Sequence, residues 1–105
     1  MVRGDVHAIT HPRPRGPVQH GRRFAVVVQA DDLLVLSAIA VCPTSSSTPP
    51  ASFHPEVEID GQPTRVMCEM VGAVDARMLG EHVGNLTLDE MRSLDDALQL
   101  VLDLR

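Results

Sequence analysis

The sequence predicts a small, mostly β protein: an antiparallel barrel of five or six short strands, with one C-terminal α-helix packed on it. Two observations lead to this prediction. Short apolar runs separated by segments rich in Pro, Gly and Ser fill most of the chain, and one stretch of helical apolar spacing ends it. A chain of 105 residues is long enough for one hydrophobic core and too short for two, so residues 1–105 are expected to form one domain.

The first two strands flank a loop. Asp5 to Thr10 alternates weakly between apolar and polar residues and predicts the first strand. His11 to Gly21 contains three prolines and two glycines, which excludes a helix and favours a loop. Phe24 to Gln29 is a β-branched apolar run, typical of a strand that is buried on both faces.

The next segment predicts a hairpin over residues 24–42. Asp31-Asp32 is expected to form a tight turn, and Leu33 to Cys42 a second apolar strand that returns alongside the first. Pro43 to Ser52 is rich in Ser, Thr and Pro and predicts a second loop. Because the two ends of a hairpin meet, Arg23 and Thr44 are expected at the same edge of the sheet.

Two more strands and a short turn follow. Glu56 to Ile59 alternates strictly, as a half-exposed strand does. After a turn at Gly61-Gln62-Pro63, Thr64 to Val74 predicts another strand. Asp75 to Gly80 suits a single helical turn ended by glycine, and Val83 to Leu86 a short extended piece.

The last segment predicts an amphipathic helix from about Leu88 to Leu102. Thr87 and Glu90 have the spacing of a capping box, in which each side chain bonds the backbone N–H of the other residue. Behind them, apolar residues recur at helical spacing, with polar residues opposite. The expected buried positions are Met91, Leu94, Leu98 and Val101.

Composition indicates a cytoplasmic protein with no membrane partner. Hydrophobic residues make up 44% of the chain, but no apolar run approaches the roughly 20 residues that span a bilayer. The N-terminus has no apolar stretch of the kind found in export signals. Cys42 and Cys68 lie in apolar segments, so we expect two buried small hydrophobic residues rather than a disulfide.

The charges are distributed unevenly. Residues 1–30 carry five arginines and one acid, a sum of +4, whereas residues 31–105 sum to −9. A basic segment on an acidic body is compatible with an anionic ligand held by that segment, and equally with a solvated loop. With no Trp or Tyr and only Phe24 and Phe53, the chain lacks the usual aromatic platforms for stacking bases.

No residue spacing by itself identifies an enzyme. The five histidines are scattered, with no zinc-like spacing beside a cysteine, so we expect neither a metal site nor a cofactor. No phosphate-binding loop, dinucleotide fingerprint or nucleophile elbow occurs. The run Thr44 to Thr48 is a candidate hydroxyl cluster, and a flexible polar loop is the alternative.

The two loops beside the hairpin are the strongest functional signal. The guanidinium group of arginine is a rigid fork of donors matched to phosphate oxygens, and hydroxyl groups add further donors. This chemistry suits a phosphodiester. The candidate contacts are Arg13, Arg15, Gln19, Arg22 and Arg23 before the buried strand and Thr44, Ser45 and Ser46 after its partner.

Motifs in order along nearly the whole chain resemble the MazF/PemK family of toxin endoribonucleases. The first part reads Arg3-Gly-Asp-Val, then a loop rich in Pro and Gly that contains Gln19, then Gly-x-Arg before Ala-Val-Val-Val. It continues through Val41-Cys-Pro-Thr-Ser, Glu56-Val-Glu-Ile and Glu69. Further matches are Val74-Asp75, Arg77-x-Leu-Gly, Val83-Gly-x-Leu, Glu90-Met91 and Asp95-x-Ala-Leu.

The resemblance implies an SH3-like barrel of the CcdB/MazF type with a C-terminal helix, assembled as a homodimer. It implies metal-independent cleavage of single-stranded RNA at short sequence motifs. The ribose 2′-OH attacks the adjacent phosphate and leaves a 2′,3′-cyclic phosphate and a 5′-OH. The family's catalytic arginine falls on Arg23 and its catalytic threonine on Thr44. The implied natural partner is a cognate antitoxin.

Three departures from the family pattern bear on activity. Val18 precedes Gln19 where the family has a glutamate, a candidate general base; His20 is a candidate replacement, and an ordinary loop histidine is the alternative. Phe24 stands where a proline is expected, and Met70-Val-Gly-Ala73 replaces Gln-Ile-Arg-Thr. The rival interpretation is therefore a catalytically silent relative that only binds antitoxin, or a gyrase-poison-like protein on the same fold.

Overall fold

The computed structural model describes residues 1–9 and 23–104. This part of the chain forms seven strands, in one antiparallel sheet of order β4-β5-β3-β2-β1-β7 with β6 also paired to β3, and one α-helix. The predicted mostly β fold with a C-terminal helix is confirmed, with seven strands rather than five or six. The elements are β1 Asp5–Ile9, β2 Phe24–Val27, β3 Ala38–Ser45, β4 Glu56–Ile59, β5 Gln62–Val66, β6 Gly72–Asp75, β7 Leu79–Asn85 and α1 Leu88–Leu102.

The predicted hairpin is confirmed, but its second strand begins later and ends later than expected. β2 pairs with β3 in the register Val26↔Cys42. Residues 33–37 are not part of the strand. Asp31–Leu33 forms a 3-10 turn, and the Gln29 side chain forms hydrogen bonds with the backbone between β2 and β3. Its amide donates to the Leu33 carbonyl (2.6 Å) and accepts from the Ala40 N–H (3.0 Å). The apolar run is thus largely exposed, with Val35 at 89%.

The strand predicted over Thr64–Val74 is two strands. β5 and β6 follow one another along β3, with the pairs Thr44↔Val66 and Val41↔Gly72. Between them a 3-10 turn at Cys68–Met70 leaves the ladder and directs the Cys68 side chain into the core. Cys68 and Met70 in the turn are apolar, as the residues of a buried strand are, so the apolar pattern of residues 64–74 did not reveal the break.

The short turn after β6 is confirmed, and it ends two residues before Gly80. Ala76–Met78 forms a 3-10 turn, and the Asp75 side chain caps it by accepting from the Arg77 N–H. β7 is longer than predicted because it pairs with the whole of β1, from Asp5↔Asn85 to Ile9↔Leu79. Gly80 lies in this strand, and its carbonyl is 3.0 Å from His7 Nδ1.

The helix has the predicted bounds and the predicted capping box. The Thr87 hydroxyl accepts from the Glu90 N–H (3.1 Å), and the Glu90 carboxylate accepts from the Thr87 N–H (2.8 Å). Its apolar face packs over the sheet through the fully or nearly buried Leu94, Ala97 and Leu98. Asp103 ends the helix in a left-handed conformation.

The sheet is buried on both faces at β2 and β3. Val26 and Cys42 join the cluster beneath α1, whereas Val27, Ile39 and Val41 join a second cluster on the opposite face. This confirms the prediction that β2 is buried on both faces. Both cysteines are buried thiols, as expected of small hydrophobic residues. A hydrogen bond that the Cys42 thiol donates to Cys68, together with burial, raises the pKa of Cys42 and keeps it protonated.

Candidate functional site

The start of β2 and the end of β3 bring two of the candidate residues together. Ala25 pairs with Pro43, so Thr44 lies beside Phe24, and the Thr44 hydroxyl donates to the Phe24 carbonyl at 3.5 Å. Arg23 immediately precedes Phe24 and is exposed, and its carbonyl accepts from the Ile9 N–H at 2.9 Å. The hairpin register therefore brings Arg23 and Thr44 to one edge of the sheet.

The Thr44 side chain is held inside the strand rather than on a loop. Thr44 is only 8% exposed and pairs on its other side with Val66 of β5. The prediction that the second loop begins at Pro43 is wrong, because β3 extends through Ser45 to meet β5. The hydroxyl's bond to Phe24 is at the outer limit of hydrogen-bond length, so this bond is weak.

The hydroxyl groups after Thr44 become progressively more exposed. Ser45 is half-buried, and its Oγ lies 3.1 Å from Ser47 Oγ and accepts from the Ser47 N–H at 3.3 Å. Ser46 is exposed at the turn that follows β3. Exposure therefore decreases from Ser46 through Ser45 to Thr44.

The remaining members of the predicted site lie outside the described residues. These are the candidate base and the phosphate contacts of the first loop: Arg13, Arg15, Gln19, His20 and Arg22. Among the arginines that the structure describes, Arg3 is engaged in the fold. Its Nε donates to the Val28 carbonyl (2.8 Å), and its guanidinium lies 2.8 Å from the Asp95 carboxylate. Arg3 thus stabilises the packing of the N-terminus on α1.

The segment that departs from the family pattern borders β3. Met70 is 59% exposed, and Gly72 and Ala73 pair with Val41 and Ala40. This edge of the sheet therefore presents small and apolar side chains where polar ones are expected from the resemblance.

A buried histidine next to the same edge was not predicted from the sequence. His54 is 6% exposed, and both of its ring nitrogens face oxygen atoms. Nδ1 lies 2.8 Å from the Pro49 carbonyl and Nε2 lies 2.6 Å from the Glu69 carboxylate. The hydrogen bond to Glu69, more than any other contact, raises the pKa of His54 above its ordinary value.

Little in the sequence signals this pair. His54 and Glu69 are 15 residues apart, one in a loop and the other in a 3-10 turn that interrupts a predicted strand. Neither helical nor strand periodicity relates two such positions. The available signal was Glu69 itself, a charged residue within an otherwise apolar run, which marks a place where the chain leaves the sheet.

Within residues 1–9 and 23–104, no group of three or more His, Cys, Asp or Glu side chains is arranged to hold a metal ion. The same part of the chain has no helix of the length and apolarity that crossing a membrane requires.

Comparison with known proteins relates the whole chain to one family. The PemK-like, MazF-like toxin family of type II toxin–antitoxin systems matches residues 2–102. A Mycobacterium tuberculosis protein named as a "Putative toxin" is 33% identical over 106 residues, which cover 99% of each chain.

Solved structures share the fold at low identity. An endoribonuclease from mycobacterial species, in complex with its cognate antitoxin, superposes with a TM-score of 0.83 at 14% identity over 100% of this chain and 97% of that one. The Mycobacterium tuberculosis toxin MazF-mt6 gives 0.79 at 17% identity over 96% and 98%. A MazE–MazF structure from Deinococcus radiodurans gives 0.77 at 21% identity over 100% and 97%.

Proposed function

Because the chain belongs to the PemK-like, MazF-like toxin family, we propose that it is the toxin of a type II toxin–antitoxin pair and an endoribonuclease of the mRNA interferase type. Its proposed substrate is single-stranded RNA, cleaved at a short sequence motif by one toxin domain spanning residues 1–105. The observation that carries the catalytic part is the hairpin register, in which Thr44 contacts Phe24, the residue after Arg23.

In the proposed reaction, the RNA supplies its own nucleophile. The ribose 2′-OH loses its proton and attacks the adjacent phosphorus, the 5′ oxygen leaves and is protonated, and a 2′,3′-cyclic phosphate and a 5′-OH result. An arginine guanidinium remains a cation at neutral pH and is a poor base, so the proposed role of Arg23 is to stabilise the phosphorane. It is also the candidate proton donor to the leaving oxygen.

Thr44 and the first loop supply the other proposed contacts. The Thr44 hydroxyl donates to a non-bridging phosphate oxygen after turning away from the Phe24 carbonyl, to which it is weakly bonded. His20 is the proposed base for the 2′-OH, because imidazole titrates near neutral pH. Arg13, Arg15, Gln19, Arg22, Ser45 and Ser46 are the proposed RNA contacts. The chemistry needs no metal.

The proposed assembly is a homodimer in the cytoplasm, with RNA lying in a groove between subunits. Its proposed regulator is a cognate antitoxin that occupies this groove. Two similar folds support this partner, since one is an endoribonuclease in complex with its cognate antitoxin and another is a MazE–MazF structure.

The direct test is cleavage of a long single-stranded RNA by purified protein in EDTA. Defined fragments with 5′-OH ends and 2′,3′-cyclic phosphate ends are expected, and they should disappear with Arg23→Ala. Cleavage that requires added metal, or that survives Arg23→Ala unchanged, contradicts the mechanism.

A second candidate is a catalytically silent relative that binds only antitoxin. The exposed Met70 and the small Gly72 and Ala73, in place of a polar segment, favour it. Tight antitoxin binding together with intact RNA after prolonged incubation would support this alternative.

A further inference from the structure

The loop after Thr44 and Ser45 crosses the sheet to reach β4. β5 lies between β3 and β4, so this β3–β4 loop (residues 46–55) passes over the end of β5. Its last residues continue the ladder along that strand: the Val66 N–H donates to the Pro55 carbonyl (3.0 Å) and the Cys68 N–H to the Phe53 carbonyl (3.3 Å). Its first residues follow Ser45 directly. Ser45 is bonded to the start of the loop through Ser47, so the position of the loop affects Ser45 and its neighbour Ser46, whereas Thr44 is held by β2 and β5.

His54 joins the two halves of this loop to the protein. Its backbone N–H donates to the Ala51 carbonyl (2.9 Å), its Nδ1 reaches back to the Pro49 carbonyl, and its Nε2 reaches Glu69 in the 3-10 turn. The Phe53 ring packs edge-on against the imidazole at a centroid distance of 4.5 Å. No other side chain in the described part of the loop has bonds that reach both Pro49 and the 3-10 turn.

The partners of the ring define its protonation state. A carbonyl oxygen and an ionised carboxylate only accept hydrogen bonds, so both ring nitrogens must donate. A neutral imidazole has one N–H, and its other nitrogen would direct a lone pair at an oxygen within hydrogen-bond distance. Only the imidazolium satisfies both contacts in this buried position.

The charges around the ring are consistent with a cation. Glu69 faces it from the 3-10 turn, and its side chain is 40% exposed. Arg65 of β5 donates from Nη1 to the His54 carbonyl (3.1 Å) and lies 3.4 Å from Glu56, which offsets its charge. Cys68 is the remaining titratable neighbour on that side. Among these groups, Glu69 has the dominant effect and raises the pKa of His54, while burial opposes it.

We propose that the His54 imidazolium, held between the Pro49 carbonyl and the Glu69 carboxylate, is a proton-dependent clasp that positions the β3–β4 loop, and with it Ser45 and Ser46, for the RNA phosphate. This inference rests on the proposed function for its consequence, but the clasp itself is a property of the unliganded protein. Loss of the proton opens the clasp, so alkaline pH loosens the loop. His54 and Glu69 are positioning residues and contact no substrate.

The first test observes the clasp without RNA. Nitrogen-15 NMR of the imidazole is expected to show both ring nitrogens protonated at pH 6.5, with a titration midpoint above the ordinary value of about 6.5. Glu69→Gln should move the midpoint down. Amide exchange of Ser47 and His54, corrected for its intrinsic rise with pH, should accelerate as wild type passes that midpoint. A neutral ring at pH 6.5, or exchange that ignores the midpoint, overturns the clasp.

The second test measures RNA cleavage across pH. His54→Gln, which cannot be charged, should lower kcat/KM by about tenfold at pH 6.5, within the hundredfold that a misplacement of about 1 Å can produce. Wild type should fall toward the level of the variant as pH rises through the His54 midpoint. Parallel profiles for the two proteins would refute the positioning role. Glu69→Gln provides the same comparison if His54→Gln does not fold.

His82→Gln is the matched control. His82 is half-exposed on β7, 3.4 Å from Asp5, and the described residues show no contact between it and the β3–β4 loop. It should leave both loop exchange and the cleavage profile as in wild type. If wild type cleaves no RNA at all, the proposed function fails, while the NMR and exchange measurements still decide whether the clasp exists.

Discussion

Gly4 is restricted both by its backbone conformation and by the side chain packed against it. Gly4 occupies a left-handed conformation (φ +95°), and its N–H donates to the Val27 carbonyl at 2.8 Å. A Cβ at this position would lie 2.6 Å from the sulfur of Met91 on α1. The positive φ therefore favours glycine in Arg3-Gly-Asp-Val, and a side chain there would also have to displace the Met91 side chain.

Gly4→Ala should destabilise the fold more than Gly61→Ala does. Gly61 also has positive φ (+77°), but nothing lies within 4 Å of the position that a methyl group would take there, so only the backbone strain of roughly 1–3 kcal/mol applies. At Gly4 the displacement of Met91 adds to that strain. Urea denaturation of the two variants measures the difference, and equal decreases in stability would contradict the packing argument.

The Arg23 side chain is expected to contribute to chemistry and little to folding. Arg23→Ala should lower RNA cleavage by about 10² or more, since removal of one preorganised donor at a developing oxyanion costs roughly 3–4 kcal/mol. Arg92→Ala removes another exposed arginine, from α1, and is the control. Cleavage by Arg23→Ala within a few-fold of the control would contradict the role, with circular dichroism establishing that both variants fold.

His54 makes stability depend on pH in a defined direction. Because its pKa is raised in the folded protein, its charged form stabilises the fold fully below about pH 6.5, the ordinary value, and this contribution disappears as pH rises through the folded pKa. The unfolding free energy of wild type relative to His54→Gln should thus be largest in mild acid and shrink at alkaline pH. A difference that is constant with pH would exclude the charged form.

At the scale of elements, prediction from sequence worked best where local signals and packing agree. The bounds of α1 and its capping box follow from local signals. Thr87 and Glu90 are about one helical turn apart, and successive apolar residues of the helix are three or four positions apart. β4 follows from strict alternation, and its burial alternates in the same way. Both elements have their determinants within their own residues.

The strands that were mispredicted depend on distant partners. Residues 33–37 are rich in apolar side chains but have no strand beside them among the described residues, and Gln29 instead bonds the turn. The break at Cys68–Met70 coincides with a change of partner along β3, whose residues 38–41 pair with β6 and whose residues 44–45 pair with β5. Sequence periodicity describes which side chains are buried but not where a neighbouring strand begins.

The capping box allows a test of how independent α1 is. Thr87→Ala removes the hydroxyl that accepts from the Glu90 N–H and should lower stability by about 1 kcal/mol. Thr64→Ala, which changes a partly exposed threonine on β5, is the control for removal of a threonine elsewhere. Thermal unfolding of both variants measures the effect, and an unchanged melting temperature for Thr87→Ala would show that the helix is held by packing alone.

Several arginines form ion pairs with acidic side chains, so only part of the positive charge counted in the sequence is free to bind an anionic ligand. Arg3 pairs with Asp95, Arg65 with Glu56 and Arg77 with Asp75. Hydrogen bonds from Arg77 lower the pKa of Asp75 to about 2, so that pair remains ionised at neutral pH. Arg3 and Arg65 are thus engaged in the fold, and the proposed RNA contacts remain Arg23 and the arginines of the first loop. The sequence could identify these candidates, but not which other arginines the fold would engage.

This distribution predicts the salt dependence of RNA binding. Removing one phosphate contact to a single strand changes the slope of log K against log salt by about 0.7, so Arg13→Ala with Arg15→Ala should reduce it by up to roughly 1.4. The motif preference should persist, because phosphate contacts do not read bases. Arg92→Ala with Arg105→Ala should leave the slope unchanged. The opposite pattern would assign the groove to the helical end of the molecule.

The pairing of β1 with β7 has a consequence for synthesis. β1 is synthesised well before its neighbour β7, and Arg3 completes its contacts only when Asp95 of α1 has been made. Such long-range contacts form late, after the intervening chain has closed into a loop. A nascent chain therefore exposes β1 and the core side of β2 until β7 and α1 have been synthesised. A chain stopped before α1 lacks the lid of its core, so truncated products should be substrates for proteases rather than active fragments.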